Sequence, residues 1–339
     1  MDCYPDPLYD SPLSTQPRAA AADQHRRVMS RPKILLVGHL THDRYADGVQ
    51  PGGCAFYSAE VYRRLGADVR VATVVGEDFQ HPAVLARTPT TAAHQGATTT
   101  FTNLYPQGSA RIQLVGAVAP PVEPASVPEP FRTAEVVHLA PVFGEIDIVA
   151  WKRAVRPARL AISVQGWVRQ AGPELAPIAL TALVGEETAR WASGRRVLPR
   201  PWDIDVESLR GIDIAFLSDE DLASQGDLLD RLRAAVPLVV LTHGVHGCSM
   251  FTPGRVTRIG VFATQEVDAT GAGDIFAAAM LWALATGASE RAAARFGAAA
   301  ASLSVEAVGS AALERLEQAA GRAAQVPILS EEDAPLPRA

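Results

Sequence analysis

"DATGAGDIF", residues 268–276, runs straight into an apolar stretch, Ile275–Ala285, that stops short of Gly287. The apolar stretch has the length and composition of a helix and Gly287 supplies its stop, so Gly271, Ala272 and Gly273 form the turn into a helix N-terminus. Backbone N–H groups at such a terminus are free and carry the positive end of the helix dipole, and glycine lets an anion come close to the backbone. The stretch therefore predicts an anion cradle. Asp274, in the first helical turn, is either a helix cap or a base held beside a phosphate. A carboxylate there is favoured as the anion and should be ionised at neutral pH. The dinucleotide fingerprint does not fit, because Phe276 stands where its third glycine would be, and no GxxxxGK[ST] loop occurs. Lysine appears only at Lys33 and Lys152, so phosphate chemistry must rest on backbone amides, arginine and metal.

Upstream, the apolar runs "KILLVG", "VRVATVVG", "EVVHLAP", "RLAISVQG", "IDIAFLS" and "LVVLTHG" are separated by segments of helical spacing. Continuous apolar strands alternating with helices predict an α/β fold, a doubly wound, mostly parallel sheet with helices on both faces. Ligands of such sheets gather at the carboxyl ends of the strands. That is where His39, Thr41, His42 and Asp43 stand, and also Gln165–Arg169, Ser218–Asp221 and Thr242–Gly247.

Two segments break the alternation. "ATTTFTNLYPQGSARIQLVGAVA" reads as a hairpin of β-branched residues, and "DRYADGVQPGG" as a shorter excursion. Together, residues of about 43–53 and 97–118 are expected to form a small sheet, a lid over the open site. "AVAPPVEPASVPEP", with five prolines in fourteen residues, suits a stiff connection from lid to core. Residues 1–30, rich in proline and polar side chains, are expected to be a disordered tail, residues 31–330 the domain, and residues 331–339 a C-terminal tail.

Composition narrows the partners. A net charge of −6 over 339 residues, with 48% hydrophobic and 20% charged residues, suits a globular protein and gives no reason to expect nucleic acid or an anionic membrane as partner. Three scattered cysteines, Cys3, Cys54 and Cys248, support neither a disulfide framework nor a zinc ribbon. No secretory signal is visible and no apolar run reaches the roughly 18 residues of a membrane span, so a cytoplasmic protein is expected. His39 with His42, and His243 with His246, have metal-like spacing but no third ligand at zinc-finger spacing.

"DATGAGD", preceded by "VLTHGVHGC" and far upstream by "PGGCAFYSAEVYRRLGADVRVATVVGEDF", resembles the ribokinase, or pfkB, family of carbohydrate kinases over about Pro32–Leu316. The resemblance implies a ribokinase-like core with a β lid, and transfer of the γ-phosphate of ATP to an alcohol. It makes Asp274 the catalytic base and Gly271, Ala272 and Gly273 the anion hole, with Asp268 and Thr270 in the loop that shapes the nucleotide and monovalent-cation site. Asp43 becomes a ligand for substrate hydroxyls with His42 beside it, and Gly52-Gly53 the lid hinge. Thr242 and Gly244 match the nucleotide loop, with Gly247 in the following turn. The helix "AAAASLSVEAVGS" would lay Ala299 and Ser302 along the nucleotide.

Departures from the family pattern are concentrated in the pocket. "SDED", Ser218–Asp221, stands where Asn-x-x-Glu is common, so Asp221 is the candidate for holding magnesium through water. Tyr57 replaces a common asparagine, and "VQGWVRQ" puts Gln165, Trp167 and Arg169 in the sugar-contacting element. With "HDRYADG", "TTTFTNLY" and "HLAP", these features are most similar to the inositol-kinase-like branch. A myo-inositol-like polyol is then the favoured acceptor, with ATP and Mg2+ as cofactors, K+ as an open question, and the lid as a surface that could pair two copies. Two alternatives stand beside it: a nucleoside kinase that stacks a base on Trp167, Phe56 or Tyr57, and a non-catalytic sensor of sugar or nucleotide.

Overall fold

A computed structural model describes residues 31–104 and 111–334, which belong to a unit beginning at Arg31. The expected tail of residues 1–30 and the Pro-Gln-Gly-Ser turn of the hairpin lie outside the described residues.

Numbered along the chain, the strands are β1 (Lys33–Val37), β2 (Thr41–Tyr45), β3 (Gly48–Gly52), β4 (Asp68–Val75), β5 (Thr90–His94), β6 (Thr100–Leu104), β7 (Ile112–Val115) and β8 (Val136–Leu139). They continue with β9 (Arg159–Ser163), β10 (Arg169–Glu174), β11 (Arg195–Pro199), β12 (Ile214–Ser218), β13 (Leu238–Thr242), β14 (Cys248–Thr252), β15 (Arg255–Ile259) and β16 (Ile328–Asp333). The larger sheet has the order β16-β15-β14-β13-β12-β9-β8-β1-β4-β5. From β5 to β13 every pairing is parallel, and β14 to β16 extend it antiparallel.

All six apolar runs became parallel strands, for the reason their composition gave. Along β1, Ile34 and Leu36 enter one core cluster while Leu35 and Val37 enter the other, so both faces of the sheet are covered. One cluster is built with helices α1 (Cys54–Arg64), α2 (Ala272–Ala285) and α3 (Glu290–Ser304). The other is centred on fully buried Trp151, whose indole N–H donates to the Val122 carbonyl at 2.9 Å.

The smaller sheet, β10-β11-β7-β6-β2-β3, is the expected lid, but it is larger than the sequence suggested. Residues 43–53 and 97–118 supply β3, β6, β7 and most of β2, while β10 and β11 come from residues 169–199, which carry no hairpin signal of their own. The C-terminal boundary also moves. Glu331, Glu332 and Asp333 read as an acidic tail, yet they pair antiparallel with Thr257, Val256 and Arg255 in β16, and Arg291 holds Glu331 at 2.9 Å. Among the described residues, no helix is long and apolar enough to cross a membrane.

Candidate active site

A cavity of about 1040 Å³ lies where the carboxyl ends of the core strands face the lid sheet. Its floor is the start of α2. Gly271 is the N-cap, in the left-handed region at φ 77°, and a Cβ built there would stand 2.6 Å from the Tyr57 ring. Glycine is therefore required twice, once for the backbone and once for the contact. Ala272, Gly273 and Asp274 follow along the cavity wall, and nothing lies within 4 Å of a Cβ built on Gly273. The glycine turn into a helix N-terminus stands where the sequence placed it.

Asp274 does not behave as a simple helix-start carboxylate. Burial raises its pKa to about 6, against the opposite influence of the neighbouring Cys54 thiol and of Arg169 and Arg111. Asp43, on β2, also lines the cavity and is also raised to about 6 by burial; the Thr41 hydroxyl, donating at 2.9 Å, and Arg111 work in the opposite direction. Both carboxylates are mostly ionised at neutral pH and are more basic than an exposed aspartate. Gly52, paired with Thr41 across the β2–β3 hairpin, leaves the space that Asp43 fills: a Cβ on Gly52 would come 2.3 Å from the Asp43 carboxyl carbon. Gly53, Tyr57, Gln165 and Arg169 line the same cavity.

A smaller apolar cleft of about 370 Å³ opens off the cradle and shares Thr242, Gly244, Ala272 and Gly273 with the main cavity. Gly247, Phe262, Phe276, Ala298, Ala301 and Ser302 complete much of its wall. Val245, Val267 and Val308, which are 65%, 60% and 52% exposed, stand around the adjoining mouth of the main cavity. Behind the cleft, the Arg322 guanidinium lies 4.6 Å above the Phe262 ring and binds Glu306 at 2.7 Å. Glu306 also accepts from Thr264 and pairs with Arg315, ties that hold its carboxyl at about 2. Asp268 joins two neighbouring loops by accepting from the Thr270 N–H at 2.9 Å and the Gly309 N–H at 3.2 Å.

Several expected site residues lie elsewhere. Trp167 is stacked on Trp202 at 4.9 Å and donates to the Ile146 carbonyl, so it is a core residue and offers no face to a ligand. His42 alternates with Asp43 along β2 and points to the opposite side; its ring stacks on Phe79 and accepts from the Gln80 N–H at 3.0 Å. Ala299 is fully buried in the core, and α3 turns Ala298, Ala301 and Ser302 to the cleft instead. Asp221 accepts from both the N–H and the hydroxyl of Ser218 at 2.8 Å in a capping box, while Asp219 and Glu220 line the cavity.

Other lining residues were not singled out in the sequence: Cys54, Gln50, Arg111 and Gln113. Arg111 and Gln113 sit two apart in the hairpin sequence, the spacing that puts strand residues on one face, and Cys54 follows the double glycine at the start of α1.

Solved structures share this architecture. A pyrophosphate-dependent myo-inositol-1 kinase converted into a myo-inositol-3 kinase superposes with a TM-score of 0.65 at 21% identity, over 85% of this chain and 98% of that one. Arabidopsis thaliana ribokinase, complexed with ribose and ATP, gives 0.59 at 19% identity over 85% and 99%. Residues 207–316, which include the cradle and the cleft walls, match the pfkB family carbohydrate kinase model. The fold is that of the ribokinases, and the sequence likeness to the pfkB model is confined to that segment. An inositol 3-kinase of Oryza sativa subsp. japonica is 28% identical over 274 residues, 74% of this chain. The chain spans 63% of that relative's length.

Proposed function

We propose that the chain transfers the γ-phosphate of ATP to a hydroxyl of a small polyol, with a cyclitol such as myo-inositol favoured over a furanose sugar. The observation that carries this reading is the placement of Asp274 on the cradle helix, in one cavity with Asp43. Asp274 accepts the proton of the attacking hydroxyl, and the amides after Gly271 stabilise charge on the transferring phosphoryl group. Asp43 accepts hydrogen bonds from hydroxyls of the acceptor, which rejects ligands lacking them. The favoured acceptor follows the likeness to inositol kinases.

Because a relative by fold is pyrophosphate-dependent, the donor needs its own argument. Pyrophosphate has no apolar part, whereas the cleft joined to the cradle is walled by Phe262, Phe276, Ala298 and Ala301. An adenine ring would bury that surface, and this supports ATP. No group of three His, Cys, Asp or Glu side chains that could hold a metal ion occurs among the described residues. Magnesium takes one or two carboxylates, water and substrate phosphates, and Glu220, beside the His243-bound Asp219 on the cavity wall, would be its protein side. When bound, magnesium neutralises phosphate charge. A monovalent cation such as potassium would meet the Asp268 carboxylate between the two loops it joins.

The nucleoside-kinase alternative loses its best stacking residue with Trp167 buried, and the Tyr57 ring is packed beneath Gly271. Asp274→Asn is the test. Turnover with ATP and the best of a polyol panel should fall by roughly 10²–10⁴-fold while nucleotide binding persists. Near-normal turnover in this variant would remove Asp274 as the base, and absence of ADP release with every polyol, despite ligand binding, would favour the sensor.

A further inference from the structure

Four passages of chain between core and lid meet at one imidazole. His39, fully buried, stands between β1 and β2, where the chain leaves the core for the lid. Its Nε2 lies 2.9 Å from the Pro120 carbonyl, which can only accept, so this nitrogen carries the ring proton. In the neutral ring Nδ1 then accepts from the Thr99 hydroxyl at 2.9 Å, and the same hydroxyl oxygen accepts from the Ala119 N–H at 2.8 Å. Thr99 immediately precedes β6, and Ala119 and Pro120 lie on the chain that leaves β7. The fourth passage is β3 into α1. Gly53, the expected hinge, has φ 87° there, and a Cβ built on it would stand 2.7 Å from the His39 carbonyl oxygen.

The core holds the neighbours of this hub. The Leu40 N–H donates to the Thr73 hydroxyl of β4 at 3.0 Å, and the Thr98 N–H donates to Asp78 at 2.8 Å. The His39 N–H donates to Glu145 at 3.0 Å, and the buried Glu145 carboxylate also accepts from the N–H groups of Val142, which lines the main cavity, and Phe143. Beyond the hub, the lid strands carry Asp43, Phe101 and Gln113 into that cavity. β2 pairs with β6 over three residue pairs and β6 with β7 over four, and strands this short hold their place only when packed or tied to something larger. His39 supplies the tie, and it lines neither the main cavity nor the cleft.

We propose that His39 is a positioning residue: by joining the roots of β2, β6 and β7 to one another and to the core, it sets the lid over the cavity and keeps water from the donor phosphate. The exclusion of water rests on the kinase reading above; the joining of the lid does not.

The test uses the full chain with His39→Leu and Thr99→Val, which remove the shared hydrogen bonds with little change of volume, and Thr99→Ser, which keeps the hydroxyl. Amide hydrogen exchange in β2, β6 and β7 should be roughly tenfold or more faster in the first two variants, while β8, β9 and β12 keep the rates of the parent. With ATP and the best polyol, both should release more than one ADP per polyol phosphorylated and show a raised KM for the polyol at an unchanged KM for ATP, since an ill-set lid admits water. Thr99→Ser should match the parent in every measurement. Exchange that quickens equally in core and lid, or loss of ATP binding in both variants, would make the hub a part of the fold alone and overturn the proposal. Lid exchange like that of the parent, or one ADP per product in both variants, would overturn it as well. A parent that phosphorylates no polyol would sink the kinase reading, and faster exchange confined to the lid would still establish the tie at His39.

Discussion

Two glycines of one cradle should respond in opposite ways to the same methyl group. Gly271→Ala places an L-residue at φ 77°, which costs roughly 1–2 kcal/mol. Its Cβ also meets the ring of Tyr57, a side chain 3% exposed, at 2.6 Å, and relieving such an overlap costs a further 1–3 kcal/mol or so. The sum is a loss of roughly 2–5 kcal/mol. Gly273→Ala stands inside the first turn of α2 with nothing within 4 Å, and alanine there should gain about 0.5–1 kcal/mol over glycine. Urea unfolding of both variants beside the parent, followed by ATP turnover, separates the two reasons for glycine. Gly271→Ala should be strongly destabilised. Gly273→Ala should match or exceed the parent in stability and still lose turnover, because its methyl group projects into the space a phosphate must enter. Unfolding free energies within about 1 kcal/mol of each other would refute the assignment of Gly271 to the fold and Gly273 to the ligand.

Other outcomes follow from the same geometry. With Asp274 and Asp43 both at about 6, the rate should fall as pH drops through 6, because the base must be unprotonated and the two carboxylates titrate as a coupled pair. A kcat/KM profile flat down to pH 4 would contradict this. Arg322→Met removes the cation over Phe262 and one of the ties that hold Glu306, so the KM for ATP should rise by roughly three- to tenfold while the KM for the polyol stays constant. Restoration by Arg322→Lys, or an effect on both substrates alike, would show whether the cleft wall or the whole fold had been changed.

The alternation of apolar runs and the glycine turn before Asp274 are local patterns, and the sequence alone determined the doubly wound sheet, its lid hairpin and the turn into the helix that carries Asp274. These depend on period, composition and turn chemistry, all of which are visible along the chain. It could not tell Trp167 or His42 from a ligand contact. A buried tryptophan and a pocket tryptophan have the same neighbours in sequence, and only the stack with Trp202 and the partner across the strand separate them. Nor could it supply β10 and β11 to the lid, since strands that pair with residues tens of positions away carry no mark of their partner. Tertiary structure decided the proton affinities as well. Helix-start placement predicts a stabilised Asp274 anion, and enclosure by the lid and α1 raises its pKa instead, because desolvation acts over the whole surroundings and the dipole only along one helix end. The same holds for Asn103, whose Oδ1 accepts from Gln113 while its Nδ2 lacks a partner: the strands must meet before one amide can be seen to lack one.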